Sequence, residues 1–167
     1  VVLTPEIRAL AAALGGNATA LYNWVATHAE YVPYLGQMQN SLAVLLSGRG
    51  NDFDQSTLLI ALLRASGIPA RYVCADVVMP RADIREWMGV KDESILLGLL
   101  SRGLGFSLFR IELERELERV VALGHVWVEA YLDTGGGKRW MALDPARKRR
   151  SYQPGIVLSR PPYDRMA

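Results

Sequence analysis

The stretch from Gly50 to Val73, GNDFDQSTLLIALLRASGIPARYV, constrains the fold more than any other part of this sequence. Leu58, Leu59, Ala61, Leu62 and Leu63 make it apolar around most of a helix's circumference, so a helix here must be buried on nearly all sides. The Gly48-Arg49-Gly50 turn leads into it. Gly67 and then Pro69 end it, the glycine by taking the left-handed cap position and the proline by blocking continuation. The helix is therefore expected over residues 52 to 66.

Short elements flank it. Thr4 before Pro5 has the chemistry of an N-cap followed by proline at the first helical position, and Ile7, Leu10, Ala11 and Leu14 recur at helical spacing. Asn17 is placed to cap a second helix carrying Leu21, Trp24, Val25 and His28 on one face, which the stretch Tyr31-Val32-Pro33-Tyr34 ends by extension. A short third helix is expected over 41 to 46. Residues 70 to 79 are β-branched and alternating enough for a strand. Residues 80 to 118 read as an elaboration between two core strands, with short amphipathic helices over 82–88 and 93–100 and no clear preference over 110–118.

The clearest hairpin pairs residues 120–132 with 138–144 across Asp133-Thr134-Gly135-Gly136-Gly137. Alternation puts His125, Trp127, Glu129 and Tyr131 on one face of the first strand, and Trp140, Ala142 and Asp144 on one face of the second. With the turn near Thr134 or Gly135, antiparallel pairing brings Asp144 opposite or diagonal to His125, within side-chain reach.

Composition limits what else the chain can be. A length of 167 residues at 50% hydrophobic content fits one domain over residues 1–150, with a helical part at 4–47, a core at 50–79 and 119–146, and a tail or linker at 151–167. The net charge of +2 owes most to Lys148, Arg149 and Arg150, a cluster expected to be solvated and too local for nucleic-acid recognition. No apolar run is long enough for membrane insertion, and the first residues lack a signal-peptide layout. The basic, proline-containing end fits a module of a longer chain, whose localisation would depend on the neighbouring sequence. A single cysteine, Cys74, excludes an internal disulfide and a thiolate-rich metal site, and its mid-strand position predicts an inert core residue. Two histidines and scattered carboxylates lack zinc-ligand spacing, so neither metal nor cofactor is expected.

In this order, RGNDFDQSTLLIALLRASGIPARYV, HVWVEAYL and WMALDP resemble the bacterial transglutaminase-like branch of the papain-like cysteine protease superfamily over residues 18 to 146, apart from the elaboration. The resemblance implies an α+β, papain-like core in which a buried central helix packs on an antiparallel sheet. It also implies a Cys, His, Asp triad for amide hydrolysis or acyl transfer. His125 and Asp144 match its second and third members, Asp54 matches an acidic position that follows the nucleophile, and Asp52 stands where the family has its cysteine.

A carboxylate is a poor nucleophile toward amides, and its charge raises the pKa of a neighbouring histidine, which disables that ring as a general base. Three readings of Asp52 follow. It forms a capping box with Gln55 in a pseudoenzyme whose groove binds a protein, peptide or glycan polymer. Or Asp52, His125 and Asp144 serve as acid and base groups of a different hydrolase. Or the nucleophile of an otherwise ordinary enzyme has been substituted. Trp127, Glu129 and Asp54 are candidate substrate contacts, although Trp127 can equally pack and Glu129 can pair with a neighbouring arginine.

Overall fold

The computed structural model describes residues 1–92, 94–96, 98 and 124–148, together with the backbone of 109–110, 114–115 and 118–123. Of the expected helix at 93–100, the described residues 94–96 and 98 are helical; the segment 110–118 lies in part outside the described residues, and the tail 151–167 lies wholly outside them.

Three helices, α1 (Pro5–Ala13), α2 (Ala18–His28) and α3 (Ser41–Ser47), precede the central helix α4 (Asp52–Ala65). Their starts follow side-chain chemistry. Thr4, Asn17 and Asn40 each accept a backbone N–H from three residues on, closing the first turn where the helix has no partner of its own. Gly48 ends α3 in the left-handed conformation at φ 65°. Between α2 and α4 the chain adds a feature with no sequence signal: β1 (Glu30–Tyr31) and β2 (Arg49–Gly50) pair in parallel. The expected extension at Tyr31 and turn at Gly50 are thus tied to each other.

Helix α4 runs between α1, α2 and α3 on one side and the sheet on the other. Every residue from Asp54 to Leu63 is buried, and Leu58, Leu59, Ile60, Leu62 and Leu63 have no exposed surface at all. At about 1.5–3 kcal/mol per fully buried large aliphatic side chain, this one helix supplies much of the driving force for folding. Ile7, Leu21, Val25, Val44, Val128 and Ala130 complete the same core.

The sheet is built around β6 (Glu118–Asp133), which pairs antiparallel with β3 (Ala70–Pro80) on one side and with β7 (Lys138–Leu143) on the other. Two short strands, β4 (Phe109–Arg110) and β5 (Glu114–Arg115), also pair with β6. Between β3 and β6, helix α5 (Arg81–Met88) turns back on the sheet and buries Ile84, Trp87 and Met88. Its Trp87 Nε1 donates to Ala146 O at 2.7 Å, which fastens the elaboration to the segment after β7.

Lys148 departs from the expected solvated tail. Its ammonium donates to the carbonyls of Ala26, at 2.6 Å, and Ala29, at the C-terminal end of α2. The negative end of a helix dipole attracts a cation, which explains the placement.

The entrance to α4 is held by a dense set of side-chain hydrogen bonds. Asn51, not Asp52, is the N-cap, and its Oδ1 accepts Asp54 N at 2.9 Å. Its Nδ2 donates to the carbonyls of Tyr34 and Gly36 at 2.9 and 2.7 Å. The expected capping box of Asp52 with Gln55 is not formed. Asp52 is already the first helical residue, and the Gln55 amide reaches instead to the carbonyls of Gly50 and Glu30 at 2.7 and 3.2 Å. Gly50 has to be glycine, because a Cβ there would lie 2.8 Å from Asp54 Cβ. We predict that Asn51→Ala lowers unfolding stability by about 2 kcal/mol, combining a lost cap with two abandoned carbonyls, measured by urea denaturation.

Candidate functional site

Residues from three elements meet at the N-terminus of α4. Asp52 projects from its first turn, His125 from β6, and Asp144 from the residue after β7. The β6–β7 register, Val128 with Leu143, sets Asp144 level with Trp127 and therefore diagonal to His125. Nδ1 of His125 lies 2.9 Å from Asp52 Oδ2, and Nε2 lies 2.7 Å from Asp144 Oδ2.

Each carboxylate is held further. Asp52 Oδ2 also accepts Val126 N at 2.8 Å, and its Oδ1 accepts Phe53 N at 2.9 Å. Asp144 Oδ1 accepts the backbone N–H groups of Ala146 and Arg147 at 3.2 and 3.1 Å. Aromatic rings enclose the imidazole. Trp87 meets it nearly perpendicular with centroids 4.9 Å apart, and Trp127 lies stacked at 5.9 Å.

The protonation of His125 follows from this surrounding. Burial opposes charge on the ring, but the hydrogen bonds and charges of Asp144 and Asp52 outweigh it and push the pKa up to about 9. The imidazolium donates from both nitrogens, one to each carboxylate. A neutral ring would donate only once and leave a lone pair facing the other carboxylate. Nearby Tyr31 is held far above the ordinary phenol range, first by burial and then by the charges of Asp52 and Asp144.

A cleft of about 500 Å³ opens beside the triad, with the Tyr34–Gly36 loop and Phe53 on one side and β3 on the other. Cys74 lines it and is exposed, contrary to the expected core position. The physical reason is that β3 and β6 outrun α4. The helix begins at Asp52, where it meets Val126, and Cys74 pairs with Val126 in the ladder, so no helix covers it.

The three candidate substrate contacts sit elsewhere. Asp54 is fully buried and accepts Tyr34 Oη together with the N–H groups of Met38 and Gln39 at 3.1 and 3.2 Å, which anchors the cleft loop to α4. Glu129 forms an ion pair with Arg71 at 2.7 Å. Trp127 packs on His125. None of the three lines the cleft. Sequence reasoning did not single out Asn51, Tyr31 or Trp87. For Asn51 a signal existed, since it also stands three residues before an acidic side chain, the spacing of a capped first turn. Among the described residues, no group of three or more His, Cys, Asp and Glu is placed to hold a metal ion.

No curated protein and no solved structure matches the chain. The family model of the transglutaminase-like superfamily matches residues 3–145, a span that contains α4, the His125 strand and Asp144. With that match over most of its length, and with a central helix packed on an antiparallel sheet, the chain belongs to the transglutaminase-like superfamily.

Proposed function

We propose that this domain is a binding module whose acyl-transfer triad has become an Asp52–His125–Asp144 ion triad, and that its cleft holds a protein or glycan polymer without turning it over. One observation carries the reading. Both ring nitrogens of His125 face carboxylates, at 2.9 and 2.7 Å, which leaves no lone pair to accept a proton from a nucleophile. Asp52 is equally committed. Oδ1 takes one backbone N–H and Oδ2 takes another together with the ring, so an attacking water has little basic oxygen left to bind. This weighs against the hydrolase reading, in which Asp52 activates water and His125 protonates a leaving group.

The test uses Asp52→Asn and Asp52→Cys. Wild type is expected to show no turnover of ester, amide or glycoside reporters, and Asp52→Asn should retain binding of any cleft ligand. Turnover in wild type that Asp52→Asn abolishes would overturn the proposal. Asp52→Cys, made together with Cys74→Ser to remove the exposed native thiol, is expected to show thiol-dependent amidase or amine-transfer activity, because a thiolate at a helix N-terminus beside His125 regains the family arrangement. The readout is iodoacetamide-sensitive product formation.

A further inference from the structure

The β3–β6 register determines which backbone groups of β3 point outward. In an antiparallel ladder, facing pairs alternate between residues that bond to each other and residues that turn their N–H and C=O groups away. Tyr131 N donates to Pro69 O at 2.9 Å, so odd-numbered residues of β6 bond to odd-numbered residues of β3. The even pairs, Tyr72 with Val128, Cys74 with Val126 and Asp76 with Gly124, therefore face away from each other.

On the β6 side of these pairs, the groups of Val126 are taken up: its N–H by Asp52 at 2.8 Å and its carbonyl by Ser56 Oγ at 3.3 Å. On the β3 side, Ala70 O is capped by the Arg64 guanidinium at 2.8 and 3.2 Å. Beyond it, no described residue bonds to the outward backbone groups of Tyr72, Cys74 or Asp76. Proteins ordinarily blunt such an edge with charged side chains, lysine above all, with proline or with a bulge, because an open edge is a template for another strand. Between Arg71 and Met79 this edge has no proline or lysine, carries Asp76 as its one charged side chain, and keeps its register without a bulge.

The edge borders the cleft, which is lined by Cys74, Ala75 and Asp76 of β3, by Gly124 to Val126 of β6, and by Tyr34 and Leu35. Among the described residues the cleft's charge is one-sided: Asp76 adds a carboxylate to a triad in which two carboxylates surround one ring, and no described lysine or arginine lines the cleft.

We infer that the outer edge of β3 from Tyr72 to Asp76 is a strand-addition site, which takes an extended polypeptide carrying a basic side chain beside Asp76. The inference rests on the reading of the cleft as a binding groove and names its occupant. Main-chain bonds to the alternate groups of the edge supply affinity, and the acidic cleft selects the side chain.

Panning a display library of random peptides of about ten residues against the whole chain should enrich sequences containing lysine or arginine. A synthetic enriched peptide should slow amide exchange at Cys74 and Asp76 by about tenfold or more, while Val73 and Ala75, already bonded to β6, stay unchanged. Alkylation of Cys74, the sole cysteine, should slow in parallel. N-methylation of alternate peptide amides should abolish binding in one phase and leave it intact in the other, and Asp76→Lys should weaken binding about tenfold. Failure to enrich any peptide, binding without the alternation at Cys74 and Asp76, or protection that grows with protein concentration alone, as a second copy would produce, each overturns the inference. Binding of chito-oligosaccharides without peptides would overturn it and keep the groove. Reporter turnover lost in Asp52→Asn would overturn the proposed non-catalytic function and leave the exchange pattern to judge the edge.

Discussion

Between the ordinary histidine value of about pH 6.5 and the folded-state value of about 9, the protein should lose about 3 kcal/mol of stability as His125 gives up its second ring proton. The sign follows from proton counting. In that window the folded state binds more protons than the unfolded chain, so stability falls with rising pH; below it both states are protonated and the contribution is fully present. The magnitude is the gap between the two values at about 1.4 kcal/mol per pH unit. It survives solvent screening because the His125 side chain is only 3% exposed. Urea denaturation at a series of pH values measures it. Asp52→Asn and Asp144→Asn should each move the upper end of the fall to lower pH, since each removes one carboxylate that holds the proton. A flat profile in wild type would show that the ring is neutral in the folded state.

His125→Ala should cost about 4 kcal/mol at neutral pH, the largest effect of any single change in the triad. The loss is not mainly packing. Deleting the cation leaves Asp52 and Asp144 partly buried, 15% and 26% exposed, with no counter-charge between them. Two such carboxylates resist ionising together, so the variant should gain stability on mild acidification. Adding Asp52→Asn to His125→Ala removes the repulsion between the pair and should recover part of the loss. A pure cavity would show neither the acid response nor the recovery, so calorimetry of the two variants at two pH values separates the causes.

The sequence made α4 legible because its evidence was local and redundant. A buried helix needs apolar residues on every side, and LLIALL provides them with a glycine and a proline to end it; the expected span of 52 to 66 meets an observed Asp52–Ala65. The hairpin was legible for a similar reason. A period of two and a glycine-rich turn leave little freedom in register, which is why Asp144 could be placed opposite or diagonal to His125, and the observed register makes it diagonal. What was hidden depends on where elements stop relative to one another. Cys74 reads as core because a mid-strand residue in this fold normally faces the helix, and nothing local says that the helix ends first. Asp54 reads as a cleft carboxylate, yet the loop carrying Tyr34, Met38 and Gln39 folds over it. That closure is a tertiary event without sequence periodicity. The choice of Asn51 over Asp52 as the cap was a one-residue shift, and it left the Asp52 carboxylate to bond His125 and Val126 N.

That shift has a consequence for how such a domain changes over time. Asn51 caps the helix, Asp54 ties down the loop and Gly50 permits their close approach, so the upkeep of the helix entrance falls on the residues flanking position 52. The Asp52 side chain makes its own bonds to His125 and to the N–H groups of Val126 and Phe53, so an exchange at 52 alters the tie between helix and sheet while the cap and the loop anchor stay in place.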